Sequence, residues 1–249
     1  MEEWVIEKII QINQEFYQKF AGSFSATRSQ VQPGVARLLE GTPDGVNWLD
    51  IGCGNGTLAL AWLTQDRSGS YCGCDFSQPL LDEANRKVAE YTSRKDAQLE
   101  FQLVDLNRKG WDQSLPARDW NVVSLFAVLH HIPSQKKRRM LMKQLRHLAG
   151  LKSRLYLSVW QLENSPRLLP RVKPWEIVGI PHREVEQGDV LMDWRAGLEE
   201  KSGEPALRYV HIFSEVEMLE LAAEAGFSVA ETFYSDGREG NLALYQVWR

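Results

Sequence analysis

The sequence predicts an α/β protein, a mostly parallel sheet with helices packed on both faces. Two observations carry that reading. Short β-rich apolar runs alternate with longer helical stretches through most of the 249 residues, which implies right-handed crossovers and a covered sheet. The run WNVVSLF (120–126) is almost continuously apolar, as a strand buried on both faces must be.

The elements follow in order. Trp4, Ile6, Ile9, Ile10, Ile12 and Phe16 give the N-terminal segment a broad apolar helical face, and a short helix follows Pro33-Gly34. Together they form a helical extension over residues 1–40. Residues 46–51 are the first strand, and a helix opens at Thr57 directly after a cluster of glycines. Residues 70–74 are the second strand, ending at Asp75, and the next helix takes Ser77 as its N-cap with Pro79 in its first turn. Strands at 99–104, stopping at Asp105, and at 120–126 come next. A basic amphipathic helix covers 134–149 and a fifth strand 154–160. From 161 to 213 the periodicity breaks down among five prolines. That is long for a connection, so it reads as an insertion serving as a substrate lid. Ser214 then caps the helix SEVEMLELAAEAG, with Glu217 spaced as in a capping box. Strands at 227–233 and 243–248 have no helix between them, so one strand runs antiparallel. The whole chain, 1–249, reads as a single domain.

Composition bounds the function. At 43% hydrophobic and 25% charged residues the chain is an ordinary globular protein. Cys53, Cys72 and Cys74 lack the spacing of a disulfide framework, which fits a reduced, cytoplasmic protein. Cys72-Gly73-Cys74 has no second Cys/His pair to complete a four-ligand site, so no metal is expected. The start, MEEWVIEKII, is acidic and amphipathic, with neither a basic leader nor an apolar run of membrane length. With a net charge of −4, contact with a polyanion needs a local patch. KKRR (136–139), continuing to Lys143, Arg146 and His147 on one helix, is such a patch, and a solvated helix face is its simpler explanation.

The stretch LDIGCGNG (49–56) decides the ligand class. A phosphate loop needs a lysine and a hydroxyl residue after its last glycine, and here Thr57-Leu58 follow Gly56. A dinucleotide fingerprint needs its third glycine where Thr57 stands. Asp50, at the strand end, would repel a pyrophosphate and favour a cation. S-adenosylmethionine, with an ammonium, a sulfonium and no phosphate, fits. Asp75 at the end of the second strand can accept from a ribose diol. Asp105 at the end of the third can accept from an adenine amino group, with Leu106 beside the ring. Open α/β sheets bind ligands at these carboxyl ends.

DIGCGNG, GCDFS, VDL and AVLHHI occur in this order, and with them the sequence resembles class I S-adenosylmethionine-dependent methyltransferases over about 35–160 and 214–249. The resemblance implies a Rossmann-like seven-stranded sheet of order 3-2-1-4-5-7-6 with strand seven antiparallel. It implies a cofactor site formed by Asp50, Gly52, Cys53, Gly54, Asp75, Phe76, Asp105, Leu106 and Phe126. Tyr17 and Arg28 would hold the carboxylate of the cofactor's methionine moiety. FYQKFAGSFSATR (16–28), GDVLMDWR (188–195) and RYVHIFSEVEMLELAAEAGF (208–227) are similar to segments of the tRNA wobble-uridine methyltransferases, although that subfamily tends to have Pro-Trp where Asp193-Trp194 stand. Those enzymes methyl-esterify 5-carboxymethyluridine in the anticodon loop. Their eukaryotic members work with a small zinc-binding activator subunit.

An acceptor carboxylate is already ionised at pH 7, so it needs a cationic clamp and orientation more than a base. Arginine suits that role through bidentate geometry. Arg195, Arg208 and His211 are the candidates in the late segment, with His130 favoured over His131 after the fourth strand. Arg28 and Arg238 are alternatives for the clamp. Trp175, Trp194, Tyr209 and Phe213 are candidate stacking surfaces for unpaired bases. Two other functions compete: methylation of a small carboxylate or hydroxyl metabolite, and a non-catalytic cofactor-binding regulator.

Overall fold

A computed structural model of the chain describes residues 1–91, 97–194 and 206–249. The strands are β1 (Val46–Ile51), β2 (Gly69–Asp75), β3 (Ala97–Leu103), β4 (Trp120–Phe126), β5 (Ala149–Trp160), β6 (Val172–Lys173), β7 (Asp189–Trp194), β8 (Ala206–His211), β9 (Val229–Ser235) and β10 (Ala243–Trp248). The helices are α1 (Glu3–Lys19), α2 (Ala21–Ala26), α3 (Pro33–Glu40), α4 (Thr57–Thr64), α5 (Gln78–Ala89), α6 (Gln135–Leu148) and α7 (Glu215–Ala225). Seven strands form the main sheet in the order β3-β2-β1-β4-β5-β10-β9. All its neighbours pair in parallel except β10, which runs antiparallel to both β5 and β9. This is the order and polarity that the family resemblance implies.

Each face of the sheet carries its own core, because successive strand residues point to opposite sides. On one face Trp48, Tyr71 and Tyr156 pack with Leu38 and Leu39 of α3 and Leu58 and Trp62 of α4. On the other, Leu49, Val123 and Leu157 pack with Leu141, Met142 and Leu145 of α6 and Met218 and Leu221 of α7. The helical extension is an integral part of this packing: α1 buries Val5 and Ile9 with Leu191 and Tyr209. Among the described residues no helix is long and apolar enough to cross a membrane.

Three local expectations are corrected. Residues 161–213 are not merely irregular: they contain a second sheet, β6-β7-β8, antiparallel throughout. Its strands are short, and in DVLMDW all but Val190 are buried, so the alternation that marks a strand is missing. Ser77 does not cap α5 through its hydroxyl; Asp75 Oδ1 accepts from the Ser77 N–H instead, at 2.9 Å. The Ser214 hydroxyl does accept from the Glu217 N–H, at 3.1 Å, but the Glu217 carboxylate turns to His211 and does not complete the capping box.

The start of α3 is pressed against β10. The Gly34 N–H donates to Asp236 Oδ1 at 3.0 Å, and Asp236 also accepts from the Tyr245 hydroxyl at 2.5 Å. A Cβ at Gly34 would lie 2.4 Å from the Tyr245 ring. Gly34→Ala should therefore lower unfolding free energy by about 1–3 kcal/mol through overpacking. Urea unfolding of the two proteins measures it.

Candidate functional site

The carboxyl ends of β1 and β2 and the loop after β3 open onto a cavity of about 650 Å³. Every residue predicted for the cofactor lines it: Tyr17, Arg28, Asp50, Gly52, Cys53, Gly54, Asp75, Phe76, Asp105, Leu106 and Phe126. The glycine loop explains itself sterically. At Gly52, with φ of 74°, a Cβ would fall 2.2 Å from Val128. At Gly54, with φ of 55°, an added Cβ would meet nothing within 4 Å, because that position faces the void. The loop thus gives backbone close approach to whatever fills the cavity.

The acidic wall is held by hydrogen bonds. Asp50 accepts from the Tyr71 hydroxyl at 2.5 Å and the Ser124 hydroxyl at 2.6 Å. Asp75 accepts from the backbone N–H groups of Gly54 at 3.0 Å and Ser77 at 2.9 Å. Burial pushes both carboxyls up to about 6, partly countered by these donors. Asp105 accepts from the Asn107 N–H at 2.9 Å and the Gln14 amide at 3.2 Å. Asp50 and Asp75, buried and among the described residues without an ion-paired cation, suit a ligand that is cationic and rich in donors, while Asp105 is half-buried with Arg108 at 3.8 Å. Arg28 reaches the same cavity on the strap after α2, whose carbonyl is held by the Thr57 hydroxyl at 2.9 Å and the Asn55 amide at 3.3 Å.

The far side of the cavity is basic and aromatic. Arg208 on β8 is 2% exposed, and among the described residues its Nε and Nη1 have no hydrogen-bond partner. The guanidinium lies over the rings of Trp160, Trp194 and Phe16, with centroids at 4.4, 4.9 and 5.4 Å. Burial lowers its pKa to about 10, so it stays charged at neutral pH. Arg167 and Arg171 also line the cavity. Tyr17 sits between the two regions, its ionisation raised chiefly by burial and influenced by Arg208, Arg28 and Asp75.

The other expectations for the late segment change. Arg195 lies outside the described residues. His211 does not line the cavity: Arg208 and His211 are three apart on one strand, so they face opposite sides. His211 donates from Nδ1 to Asp189 at 2.7 Å and from Nε2 to Glu217 at 3.0 Å. Burial alone would lower its pKa, but these two carboxylates outweigh it and leave the pKa raised. His130 is fully buried behind the wall, and desolvation holds it well below the usual histidine range. The cavity histidine is His131. Trp175, Tyr209 and Phe213 are core residues, leaving Trp194 as the one proposed stacking ring that lines the cavity, and exposed Arg238 does not reach it. In α6, Arg138 is 2% exposed and paired with Glu186 at 2.9 Å, Arg139 pairs with Glu224 at 2.5 Å, and Arg146 donates to the Gly226 carbonyl at 3.1 Å. Much of the basic patch is therefore spent on internal contacts.

A doubly wound sheet with a glycine loop and an acidic strand-end wall defines a cofactor-binding α/β enzyme. The profile of the family described as "Methyltransferase domain" matches residues 24–232, and the chain belongs to that family. Among curated relatives, the tRNA (carboxymethyluridine(34)-5-O)-methyltransferase of Arabidopsis thaliana is 30% identical over 149 residues, 59% of this chain and 32% of that protein. The match thus spans about a third of the plant protein's length. The tRNA (carboxymethyluridine(34)-5-O)-methyltransferase of Schizosaccharomyces pombe is 25% identical over 224 residues, covering 88% of this chain and 90% of that one. A SAM-dependent methyltransferase of Methanosarcina mazei shares the fold, with a TM-score of 0.64 at 18% identity over 88% of this chain and 97% of that chain.

His211 holds its proton more tightly in the folded protein than in the unfolded chain. Its network therefore contributes fully below about pH 6.5 and loses that contribution as pH rises through the folded value. His211→Gln should cost about 1.5–3 kcal/mol at pH 6, because the buried Asp189 loses its charge-assisted donor while keeping those from Tyr209 and the Glu186 N–H. The gap to wild type should narrow at pH 9. Urea unfolding at both pH values checks the sign.

Proposed function

We propose that this methyltransferase uses S-adenosylmethionine to esterify a carboxylate, the carboxymethyl group of a modified wobble uridine in tRNA. The observation that carries the carboxylate is Arg208: a buried guanidinium, covered on its faces by aromatic rings, whose Nε and Nη1 have no partner among the described residues. An unpaired buried charge is costly, and an arriving carboxylate satisfies it with charge-assisted hydrogen bonds. The tRNA assignment rests on the segments similar to the wobble-uridine subfamily and on the names of the curated relatives.

S-adenosylmethionine is the methyl donor, and when bound it supplies an electrophilic methyl on a sulfonium. Asp75 would take the ribose hydroxyls, Asp105 the adenine edge with Leu106 against the ring, and Arg28 the methionine carboxylate; the Tyr17 hydroxyl expected beside it is engaged with His131 Nε2 at 2.8 Å instead. Arg208 holds the acceptor carboxylate, and Trp160 and Trp194 keep water from it. No base is needed, since the nucleophile is ionised before it binds. The β6-β7-β8 sheet serves as the acceptor-side lid, with Arg167 and Arg171 at its mouth available to flanking phosphates. A free carboxylate metabolite is the second reading, favoured by the internal use of the α6 arginines.

Nucleoside mass spectrometry of tRNA treated with purified protein and labelled cofactor tests the assignment. The expected product is the methyl ester of carboxymethyluridine. Label appearing only on free carboxylates would establish the second reading. Arg208→Ala should leave cofactor affinity within about threefold while acceptor kcat/KM falls about 30- to 1000-fold, equivalent to 2–4 kcal/mol of lost charge-assisted contact. Parallel calorimetry and single-turnover kinetics separate the two effects.

Cofactor affinity should also follow the strand-end acids. A cationic, donor-rich ligand binds their ionised forms, and both carboxyls titrate at about 6. Binding should weaken about tenfold per carboxyl between pH 7 and pH 5, with proton release at the lower pH. Calorimetric titration with S-adenosylmethionine at pH 5, 6 and 7 measures it, and a flat profile would separate these acids from cofactor binding.

A further inference from the structure

Resting on the carboxylate reading above, we infer that Asn13, Tyr17 and His131 are positioning residues for Arg208: they dock the outer edge of β8 against the main sheet's rim and so set where the guanidinium points. Among the described residues β8 pairs with β7 alone, leaving its outer edge without a strand partner. Such backbone groups must find partners when buried. At Tyr209, the residue next to Arg208, side chains supply them. The Tyr209 N–H donates to Asn13 Oδ1 at 2.8 Å, and its carbonyl accepts from His131 Nδ1 at 2.9 Å. The Asn13 amide donates in turn to the His131 carbonyl at 3.3 Å. These bonds join α1, the turn after β4, and β8 into one unit.

The chemistry of His131 extends that unit to the cavity. With Nδ1 facing a carbonyl, the ring proton sits there and Nε2 carries a lone pair. The Tyr17 hydroxyl donates to Nε2 at 2.8 Å. The phenol's oxygen is thereby left as an acceptor beside Arg208, whose interaction with it favours the charged guanidinium. Burial and the nearby Arg208 hold His131 down at about 3, so the ring stays neutral and this arrangement persists across the working pH range.

A merely apolar docking of β8 would not serve the same end. Slipping a strand by one residue exchanges its faces, which would turn Arg208 away from the cavity and bring Tyr209 into it. The paired bonds at Tyr209 fix the register. Asn13 is 6% exposed on a helix face that also buries Val5, Ile6, Ile9 and Phe16. A polar amide there is costly unless both ends are satisfied, and both ends are spent on this one junction.

The test is a double-mutant cycle of His131→Phe with Arg208→Ala. It uses an anticodon stem-loop carrying 5-carboxymethyluridine as acceptor, with cofactor binding followed by calorimetry. A residue that acts only through Arg208 should raise acceptor KM about tenfold or more alone and add little to the Arg208→Ala loss, since coupled sites are not additive. Cofactor affinity should stay within about threefold, a split that general misfolding would not give. Multiplicative losses, or acceptor kcat/KM in His131→Phe within about twofold of wild type, would overturn the positioning role while leaving the clamp standing. Unchanged turnover in Arg208→Ala, or no turnover by wild type on this stem-loop, removes the reading beneath the inference and the inference with it. If His131→Phe does not fold, Asn13→Leu, which removes the amide from the same junction, must show the same non-additivity with Arg208→Ala.

Discussion

One buried carboxylate holds the cofactor end of this protein together. Asp75 accepts from Gly54 in the loop after β1 and from Ser77 at the start of α5, and its own carbonyl accepts from Val104 at the end of β3, at 2.9 Å. Three chain segments meet at that residue. Removing a carboxylate from water is costly, and the raised pKa of about 6 shows that the backbone donors offset only part of it. Among the described residues neither Asp75 nor Asp50 forms an ion pair with a cationic side chain. The acidic wall is thus built, oriented and left electrostatically incomplete, the condition a cationic ligand relieves.

The opposite side of the same cavity has the complementary deficiency. Arg208 keeps its charge at the cost of desolvation, with aromatic faces in place of hydrogen-bond acceptors around much of it. One void therefore presents negative charge where the strands end and positive charge beneath the added sheet. Under the proposed reaction, a cationic donor and an anionic acceptor would be sorted to their own ends by that polarity. Fixed charges also need no rearrangement during reaction, which is where preorganised electrostatics has most effect. Displacement at a methyl group requires the reactants in line, and in the proposed reaction the two charged ends would help orient them without a catalytic base.

The main sheet was legible because its signals are local. Asp50, Asp75 and Asp105 sit next to strand ends that the apolar runs define, and the glycines of DIGCGNG follow the first of them directly. The added sheet was not legible: DVLMDW is too uniformly buried to alternate, and its partners lie far away in sequence. Without knowing that 206–211 is a strand, nothing separates Arg208 from His211; once it is known, the odd spacing sends them to opposite faces. His130 and His131 are adjacent, and only the turn after β4 decides which imidazole enters the cavity and which is buried behind it. In KKRR the composition is visible, but Glu186 and Glu217, which hold Arg138, come from elements 48 and 79 residues on (186 − 138 and 217 − 138).

The network behind β8 bears on how an acceptor is recognised. His211, Asp189, Glu217, Arg138 and the Tyr209 hydroxyl form a connected polar cluster on the side of the strand opposite Arg208. It anchors β8 from behind while Asn13 and His131 hold its edge, so the strand carrying the cavity's buried cation is tied on more than one side. The same cluster consumes Arg138, and Arg139 is tied to α7 through Glu224. A helix whose arginines neutralise the protein's own acids offers less to an external polyanion than its composition suggests. Arg167 and Arg171, by contrast, line the cavity beside the buried guanidinium, and Arg171 is near enough to lower its pKa. Positive charge that must be screened from other positive charge is unstable on its own and welcomes an anion. Under the proposed reading, phosphates flanking the acceptor carboxylate would find positive charge at Arg167 and Arg171 in the cavity wall rather than along α6.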